Sequence, residues 1–277
     1  MKQNLFVAVF FVSAVIACRK PVEPRPAPNP KPVSQGDTYT HRLKDVTHRN
    51  LPSPYYHFEY NDSGYITNAT YVSGLWQYNL GYQGKRVSFM QNNILVNKDV
   101  LEYQYNDGNV TAINVRNEAG NIYRRYFFDY NVARQLTRMR IEFKINNVFV
   151  PERSVEFFYY ADENLEKMIT RYFMAGANWD GTLIDIFSNY DDKVNADGFS
   201  LLHPDQFHHA FLLPSVKLQK NNPRRNVRTG SGNNYELDYT YTYDANGQPT
   251  LRQGDLLFTS GQDKGKHFSL QSTFSWY

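Results

Sequence analysis

The sequence lacks several features that are typical of enzymes, nucleic-acid-binding proteins and disulfide-stabilised proteins. Its single cysteine excludes an intramolecular disulfide framework. It contains no GxSxG motif and no glycine-rich phosphate-binding loop, so no serine nucleophile or nucleotide site is indicated and no cofactor is expected. The formal net charge of +3 is small and its signs are mixed, which argues against a nucleic-acid partner.

A long apolar run is present only at the N-terminus. Residues 5–17 form this run, which is too short to span a bilayer comfortably and is typical of a secretory signal peptide. It ends in Val15-Ile16-Ala17-Cys18, which resembles a bacterial lipobox. By that resemblance, residues 1–17 are a lipoprotein signal peptide and Cys18 is the lipidated first residue of the mature protein. The alternative is ordinary signal cleavage, which leaves Cys18 as a free thiol.

A proline-rich segment separates Cys18 from the rest of the chain. Prolines recur between residues 21 and 32, so residues 18–36 cannot form a helix or a strand ladder and are predicted to be an extended linker. Arg19 and Lys20 stand where surface-displayed lipoproteins of the Bacteroidetes type carry an acidic cluster. We therefore predict a lipid anchor in the outer membrane, with the folded domain of residues 37–277 on the periplasmic side.

Aromatic side chains are abundant, with 22 tyrosines and 19 phenylalanines. In residues 235–243 a tyrosine or leucine occupies every second position, which places these side chains on one face of a β-strand. Asp244-Ala245-Asn246-Gly247 then favours a turn, after which the chain returns as the next strand. Each such unit is predicted to be a β-hairpin.

Weaker copies of this hairpin unit recur along most of the chain. They start near residues 56, 101, 125, 155 and 186, and Met139, Ile141 and Phe143 alternate with charged residues between two of them. A regular series of hairpins predicts an all-β domain with one large antiparallel meander sheet, curled or closed into a barrel. A transmembrane barrel is the competing fold, and the charged residues along most strands argue against it.

Two segments depart from the hairpin pattern. Residues 195–214 show no period-two alternation, and Pro204 followed by apolar and histidine residues predicts a short helix at 204–213. Residues 221–234 are polar and basic, and they are predicted to form a loop with little to bury.

A group of possible metal ligands falls within the first of these segments. On a helix, Asp205 would share a face with His208 or His209, and His203 lies close by. Such a set could hold Zn²⁺, although its spacing matches no zinc motif. The alternative, which we favour, is a short surface helix whose histidines pack on aromatic rings.

Some strands carry rings on both faces, as in residues 126–128 and 157–160. A sheet with one face in water does not need this. Either the 195–214 segment covers the second face, which we favour, or that face is an aromatic platform for a ligand. The candidates for the platform are Trp76, Tyr126, Phe158, Tyr160 and Trp179.

Three short motifs stand out in the last third of the chain, and they are residues 189–195 (NYDDKVN), residues 211–215 (FLLPS) and residues 239–249 (YTYTYDANGQP). Together they resemble a family of Bacteroidetes lipoproteins of unknown function with a porin-like fold. The hairpin units also resemble the tyrosine–aspartate repeats of large bacterial shell proteins. The resemblance implies a curved β-sheet lipoprotein at the cell envelope. Together with the charged strands, it leads us to predict a curled or barrel-like sheet that is porin-like in fold but soluble. It implies no activity.

Two classes of function remain open from the sequence. The first is a non-enzymatic binding protein that engages a glycan or an envelope protein through its curved aromatic sheet. The second is a metal-dependent enzyme built on His203, Asp205, His208 and His209. Binding is favoured, because rings are abundant while no nucleophile, base or cofactor loop can be named.

Overall fold

The computed structural model describes residues 42–173, 180–195, 201–202, 211–214 and 216–277, all of which belong to the compact unit Val33–Tyr277. Sixteen of the described strands form one closed antiparallel barrel, in which each strand pairs with the barrel strands that precede and follow it along the chain. The barrel closes where the first strand pairs with the last, at Val46 opposite Phe274. The prediction of one large antiparallel meander sheet is confirmed, and the sheet is closed.

The barrel strands are β1 (Leu43–His48), β2 (Tyr56–Tyr60), β3 (Ile66–Tyr71), β4 (Trp76–Gln83), β5 (Arg86–Asn92), β6 (Val100–Asn106), β7 (Asn109–Arg116), β8 (Ile122–Tyr130), β9 (Leu136–Ile145), β10 (Val148–Tyr159), β11 (Leu165–Phe173) and β12 (Asp180–Tyr190). After β13 (Leu201–Leu202) and β14 (Phe211–Leu212), which pair only with each other, the barrel continues with β15 (Pro223–Gly230), β16 (Tyr235–Tyr243), β17 (Pro249–Phe258) and β18 (His267–Trp276). A single 3₁₀ turn, Val72–Gly74, joins β3 to β4.

The inner face of the barrel carries most of the hydrophobic core. In β9 the side chains of Met139 and Ile141 are buried, whereas those of Arg138 and Arg140, which alternate with them, are exposed. This alternation is the one expected of a strand with one buried face and one face in water. Residues that pair across adjacent strands lie on the same face of the sheet. The inner and outer faces of β9 therefore identify the inner and outer residues of every other barrel strand.

A hydrogen bond from an aromatic side chain recurs in all eight consecutive strand pairs of the barrel. The donor lies near the end of the second strand, and the acceptor is a backbone carbonyl at the start of the first. The donor–acceptor distances are 2.6–3.0 Å. The eight donors are Tyr60, Tyr82, Tyr105, Tyr130, Tyr159, Tyr190, Tyr241 and Trp276. We call these side chains the tethers, and the end of the barrel at which they lie the tether end. The tethers explain why a tyrosine recurs in the hairpin units of the sequence.

The opposite end, which we call the loop end, holds the connections β1–β2, β3–β4, β5–β6, β7–β8 and β9–β10. At the tether end several connections are tight turns with one backbone shape. Each ends in a residue with a positive φ, as at Gly64 (φ 83°) and Gly247 (φ 76°). The Asp/Asn and Gly residues of the repeat therefore set the turn geometry.

Two predictions for the irregular segments are wrong in the described residues. Phe211–Leu212, the end of the predicted helix 204–213, is a strand, while residues 203–210 lie outside the described part of the chain. The predicted loop at 221–234 contains strand β15, whose inner face is polar and so gives no hydrophobic alternation. Among the described residues, no helix is long and apolar enough to cross a bilayer.

Candidate functional site

The lumen of the barrel is filled on one side by a segment of the chain itself. Phe211, Leu212, Leu213 and Val216 are buried in the same core cluster as the inner-face residues of β1–β11. The ring of Phe211 lies 4.7 Å from that of Tyr126, and the Tyr103 hydroxyl donates to the Leu212 carbonyl at 2.7 Å. We call the described residues 211–214 and 216 the plug segment. A sixteen-stranded barrel has a lumen wide enough for a water-filled channel. The side chains of the wall alone do not fill such a lumen, and here the plug segment adds the side chains that do so on one side.

The plug segment belongs to the connection between β12 and β15. A polar network at the tether end of the barrel holds the start and the finish of this connection. The side chain of Asn222 is fully buried and donates to the Val194 carbonyl at 2.8 Å and to the Asp191 carboxylate. The Tyr243 hydroxyl also donates to Asp191, and burial and this carboxylate raise the pKa of Tyr243. Buried Asn164 accepts from the backbone N–H groups of residues 220 and 221.

The motifs that carry the family resemblance therefore have a structural role. Asp191 and Val194 belong to the polar network, and Phe211–Leu213 form most of the plug segment. Tyr243 connects the third motif to the first. These residues fix the long connection between β12 and β15 to the barrel, and they lie on the filled side of the lumen.

Part of the inner wall made by β16, β17, β18 and β1 lines an open pocket, whereas Leu43, Val46 and Phe274 of the same wall belong to the core. Phe268 and Leu270 point to the inner face, yet their side chains are 43% and 40% exposed. The pocket has a volume of about 420 Å³. Its lining residues are His48, Arg49, Asn50, Leu51, Tyr239, Arg252, Gly254, Phe268, Ser269, Leu270, Gln271 and Ser272. We call it the luminal pocket, and the β1–β2 loop places it towards the loop end.

Polar groups and rings converge on the wall of the luminal pocket. The Arg252 guanidinium carbon lies 5.2 Å from the centre of the Tyr239 ring, and its Nη2 lies 3.3 Å from the Ser272 hydroxyl. The same hydroxyl is 2.9 Å from His48 Nδ1. The lining thus offers two aromatic rings beside an arginine, a histidine and a serine, and none of its twelve residues is acidic.

Gly254 makes room for the Tyr239 ring on this wall. The two residues face each other across β16 and β17, and a Cβ atom at position 254 would lie 3.1 Å from Tyr239 Cε1 and 3.0 Å from Leu237 Cδ1. Such distances are tighter than ordinary van der Waals contact, so a side chain here would displace the ring. The glycine therefore allows a ring to lie flat over a neighbouring strand inside the barrel.

Buried charges elsewhere on the inner wall form ion pairs. Asp185 is 2% exposed and accepts two hydrogen bonds from Arg228, at 2.8 and 2.9 Å. Arg124 pairs with Glu152 at 2.9 Å. Each of these carboxylates pairs with an arginine, and removal of the arginine would leave an uncompensated buried charge.

The predicted aromatic platform is not a single surface. Tyr126 is fully buried against Phe211, so the expectation that its ring is uncovered is wrong. Trp76 is half-buried at the inner wall, whereas Phe158 and Tyr160 are exposed on β10 and the turn after it. On the outer face Phe158 lies under Lys167, 4.4 Å from Nζ to the ring centre. Trp179 lies outside the described residues. A ligand role for these residues stays a prediction.

The histidine cluster His203, Asp205, His208 and His209 lies entirely outside the described residues, so the metal site stays a prediction. Within the described part of the chain, no group of three or more His, Cys, Asp or Glu side chains could hold a metal ion. Cys18 lies outside the described residues as well.

Sequence reasoning missed the luminal pocket. The alternation in β16 and β18 places Tyr239, Phe268 and Leu270 on one face, but alternation does not tell which stretch of an inner face is left uncovered. Arg252 and Gly254 were the available signal, because an arginine and a glycine interrupt the inner face of a strand whose other inner residues are apolar.

Two crystal structures share this fold. A porin-like protein from Bacteroides uniformis ATCC 8492 has a TM-score of 0.56 and 13% sequence identity, with 86% of this chain and 95% of that protein covered. A porin-like protein from Bacteroides vulgatus ATCC 8482 has a TM-score of 0.55 and 15% identity, with 87% and 99% covered. No family model and no curated protein matches the sequence. The chain therefore has the all-β barrel fold of these porin-like proteins, and the predicted porin-like fold is confirmed.

Proposed function

We propose that this protein is a non-enzymatic, lipid-anchored binding protein of the cell envelope whose luminal pocket binds a glycan. The observation that carries the proposal is the composition of the pocket, with Tyr239 and Phe268 beside Arg252, His48 and Ser272. Rings present flat apolar faces that stack on sugars, and the polar groups can bond sugar hydroxyls. The mouth of a β-barrel is a common place for such a site.

The outer face of the barrel supports a position in water and not in the bilayer. A barrel that spans a membrane carries an apolar band on its outer face. Here the outer face carries ion pairs, such as Glu156 with Arg171 at 2.8 Å and Arg225 with Asp238 at 2.9 Å. The plug segment packs inside the barrel, so it obstructs passage through that side of the lumen.

The anchor in this proposal is the lipid on Cys18, which holds the barrel at the periplasmic face of the outer membrane. The lipobox and signal peptide support it. We expect Cys18→Ser protein to stay unprocessed or to be released from membranes, as measured by membrane fractionation and by the size of the product. A mutant that is cleaved normally and still sediments with membranes places the anchor elsewhere.

The glycan proposal is tested on an array of bacterial envelope saccharides, including peptidoglycan fragments, with the purified lipoprotein in detergent. We expect Tyr239→Ala and Phe268→Ala each to weaken binding about tenfold, since a stacked ring contributes about 1.5 kcal/mol at most. Phe158→Ala is the matched control, because it removes a ring of similar exposure from the outer face. Its binding should equal that of the unsubstituted protein.

Two results contradict the proposal. In the first, folded protein binds none of the saccharides, which leaves an envelope protein as the partner class. In the second, a saccharide binds but the Phe158→Ala variant loses as much affinity as the pocket variants, which places the site on the outer face. Circular dichroism of each variant separates loss of binding from loss of the barrel.

A further inference from the structure

A row of polar side chains crosses the inner wall at the floor of the luminal pocket. Arg252, Ser272 and His48 lie opposite one another on the adjacent strands β17, β18 and β1. Arg252 Nη2 lies 3.3 Å from the Ser272 hydroxyl, and His48 Nδ1 lies 2.9 Å from the same oxygen. The next inner residues towards the tether end, Phe274 and Val46, are buried in the core. The row therefore marks the depth at which the packed core ends and the open pocket begins.

Nearer the loop end, the same wall is apolar. Leu270 lies opposite Gly254, and Phe268 lies opposite Leu256 on the neighbouring strand. The ring of Tyr239 covers Gly254 from the other side. An occupant of the pocket therefore contacts rings and aliphatic side chains near the loop end and meets the polar row at the floor.

The described residues that line the pocket carry charge of one sign. Arg49 and Arg252 are cationic at neutral pH, and no aspartate or glutamate is among the lining residues that the structure describes. Arg228, elsewhere on the inner wall, faces the carboxylate of Asp185 at 2.8 Å. A cleft lined by charge of one sign concentrates ligands of the opposite sign.

Two rings hold Arg252 in place at the floor. Its guanidinium carbon lies 5.2 Å from the centre of the Tyr239 ring and 5.6 Å from that of the Phe274 ring. The planar guanidinium matches the geometry of a carboxylate or a phosphate, and its rigid fork loses little freedom on binding one. Tyr239 also offers a face on which a sugar could stack, so a cation and a stacking surface lie side by side.

We propose that the luminal pocket selects an acidic saccharide, whose carboxylate or phosphate group pairs with Arg252 while a sugar ring lies on Tyr239 or Phe268. This inference rests on the proposed glycan function and adds the charge of the ligand to it. A neutral saccharide would offer the guanidinium only hydroxyl oxygens. Hydrogen bonds between ionised groups are about twice as strong as those between neutral ones.

The test compares two pairs of ligands that differ in charge, on the full lipidated protein in a non-ionic detergent. N-acetylmuramic acid is compared with its uncharged methyl ester, and glucose 6-phosphate is compared with glucose. Calorimetry gives the Kd of each. We expect the acidic member of at least one pair to bind at least about tenfold more tightly than its neutral counterpart. The pair that shows the preference identifies the anionic group as carboxylate or phosphate.

Two variants locate the group that reads the charge. Arg252→Gln removes the cation at the floor of the pocket. Arg140→Gln is the matched control, because the Arg140 guanidinium also lies over a ring, 5.3 Å from the centre of Phe127, but on the outer face. The quantity compared is the ratio of the Kd values of the neutral and the acidic ligand within each variant, so a general weakening of the site does not affect it. Arg252→Gln should bring the ratio close to one, and Arg140→Gln should leave it unchanged.

The failure of this inference can be told apart from the failure of the glycan proposal. Equal binding of the acidic and the neutral member of each pair overturns the inference and leaves the glycan proposal standing. If none of the four ligands binds, the inference also fails, and the saccharide array decides the glycan proposal separately. A preference that persists in Arg252→Gln overturns the inference as well, because the charge is then read elsewhere. The comparison on the unsubstituted protein needs no variant, so it holds even if Arg252→Gln does not fold.

Discussion

Phe211→Ala should lower the free energy of unfolding by about 3–5 kcal/mol, the range for truncating a fully buried phenylalanine. Phe211 is fully buried, and its ring lies 4.7 Å from Tyr126 and 5.6 Å from Phe128. Because the barrel wall is a closed hydrogen-bonded sheet, it cannot collapse onto the space left by the ring. The cost should therefore lie at the upper part of the range, as measured by urea denaturation followed by circular dichroism.

Two variants make this prediction specific to the plug segment. Phe211→Leu keeps most of the buried volume and should cost less than about 1.5 kcal/mol. Val132→Ala changes a fully exposed side chain and should lie within about 0.5 kcal/mol of the unsubstituted protein. A loss below about 1 kcal/mol for Phe211→Ala would show that the plug segment does not pack inside the barrel, because surface truncations have effects of that size.

The strands themselves were predictable from the sequence because each is set by its own residues. Alternation at Met139 and Ile141, and the turn residues at Asp244 and Gly247, are local signals that need no knowledge of the rest of the chain. The repeat of the tyrosine before each turn was visible too. In the hairpin unit that starts near residue 155, the tyrosine that acts as the tether is Tyr159, which donates to the Leu136 carbonyl.

Closure and filling were not predictable, since both depend on contacts between distant residues. A hairpin series looks the same in an open and a closed sheet, and only the pairing of β1 with β18 distinguishes them. Strand β15 was missed because Arg228 and Asn226 occupy its inner face, and the partner of Arg228 is Asp185 on another strand. The burial of Tyr126 depends on Phe211, far along the chain.

The resemblance to porin-like proteins predicted the fold correctly but says little about transport. In this chain the motifs behind the resemblance build the plug segment and the network around Asp191, so they fill the lumen. The barrel is thereby a scaffold whose described lumen holds the plug segment and the luminal pocket. On the filled side of the lumen, buried aromatic rings pack against one another, and these rings set the response of the protein to alkaline pH.

The barrel should unfold cooperatively between about pH 10 and 12, because burial raises the pKa of many of its tyrosines above the value of about 10 in an unfolded chain. Burial raises the pKa of Tyr71, Tyr78 and Tyr103 well above that value, and it also raises the pKa of the tethers Tyr60 and Tyr130. A buried phenol is stable only in its neutral form.

The sign of the effect follows from where the protons are bound. Below pH 10 both the folded and the unfolded chain hold these protons, so the stabilisation is fully present. Above pH 10 the unfolded chain releases protons that the folded chain keeps, and stability falls as the pH rises. At pH 11 the ionisation of three such tyrosines in the unfolded chain removes about 4 kcal/mol, a large share of the 5–15 kcal/mol typical of a folded domain.

The transition is measured by tyrosinate absorbance at 295 nm and by far-ultraviolet circular dichroism on the same samples, which should change together. Tyr71→Phe is the matched variant, because the Tyr71 side chain is fully buried and its hydroxyl has no hydrogen-bond partner among the described residues. Removing this hydroxyl should leave stability at pH 7 unchanged or higher and move the alkaline midpoint upwards. If instead all tyrosines titrate near pH 10 while the strand signal persists, the rings are open to water and the filled lumen is wrong.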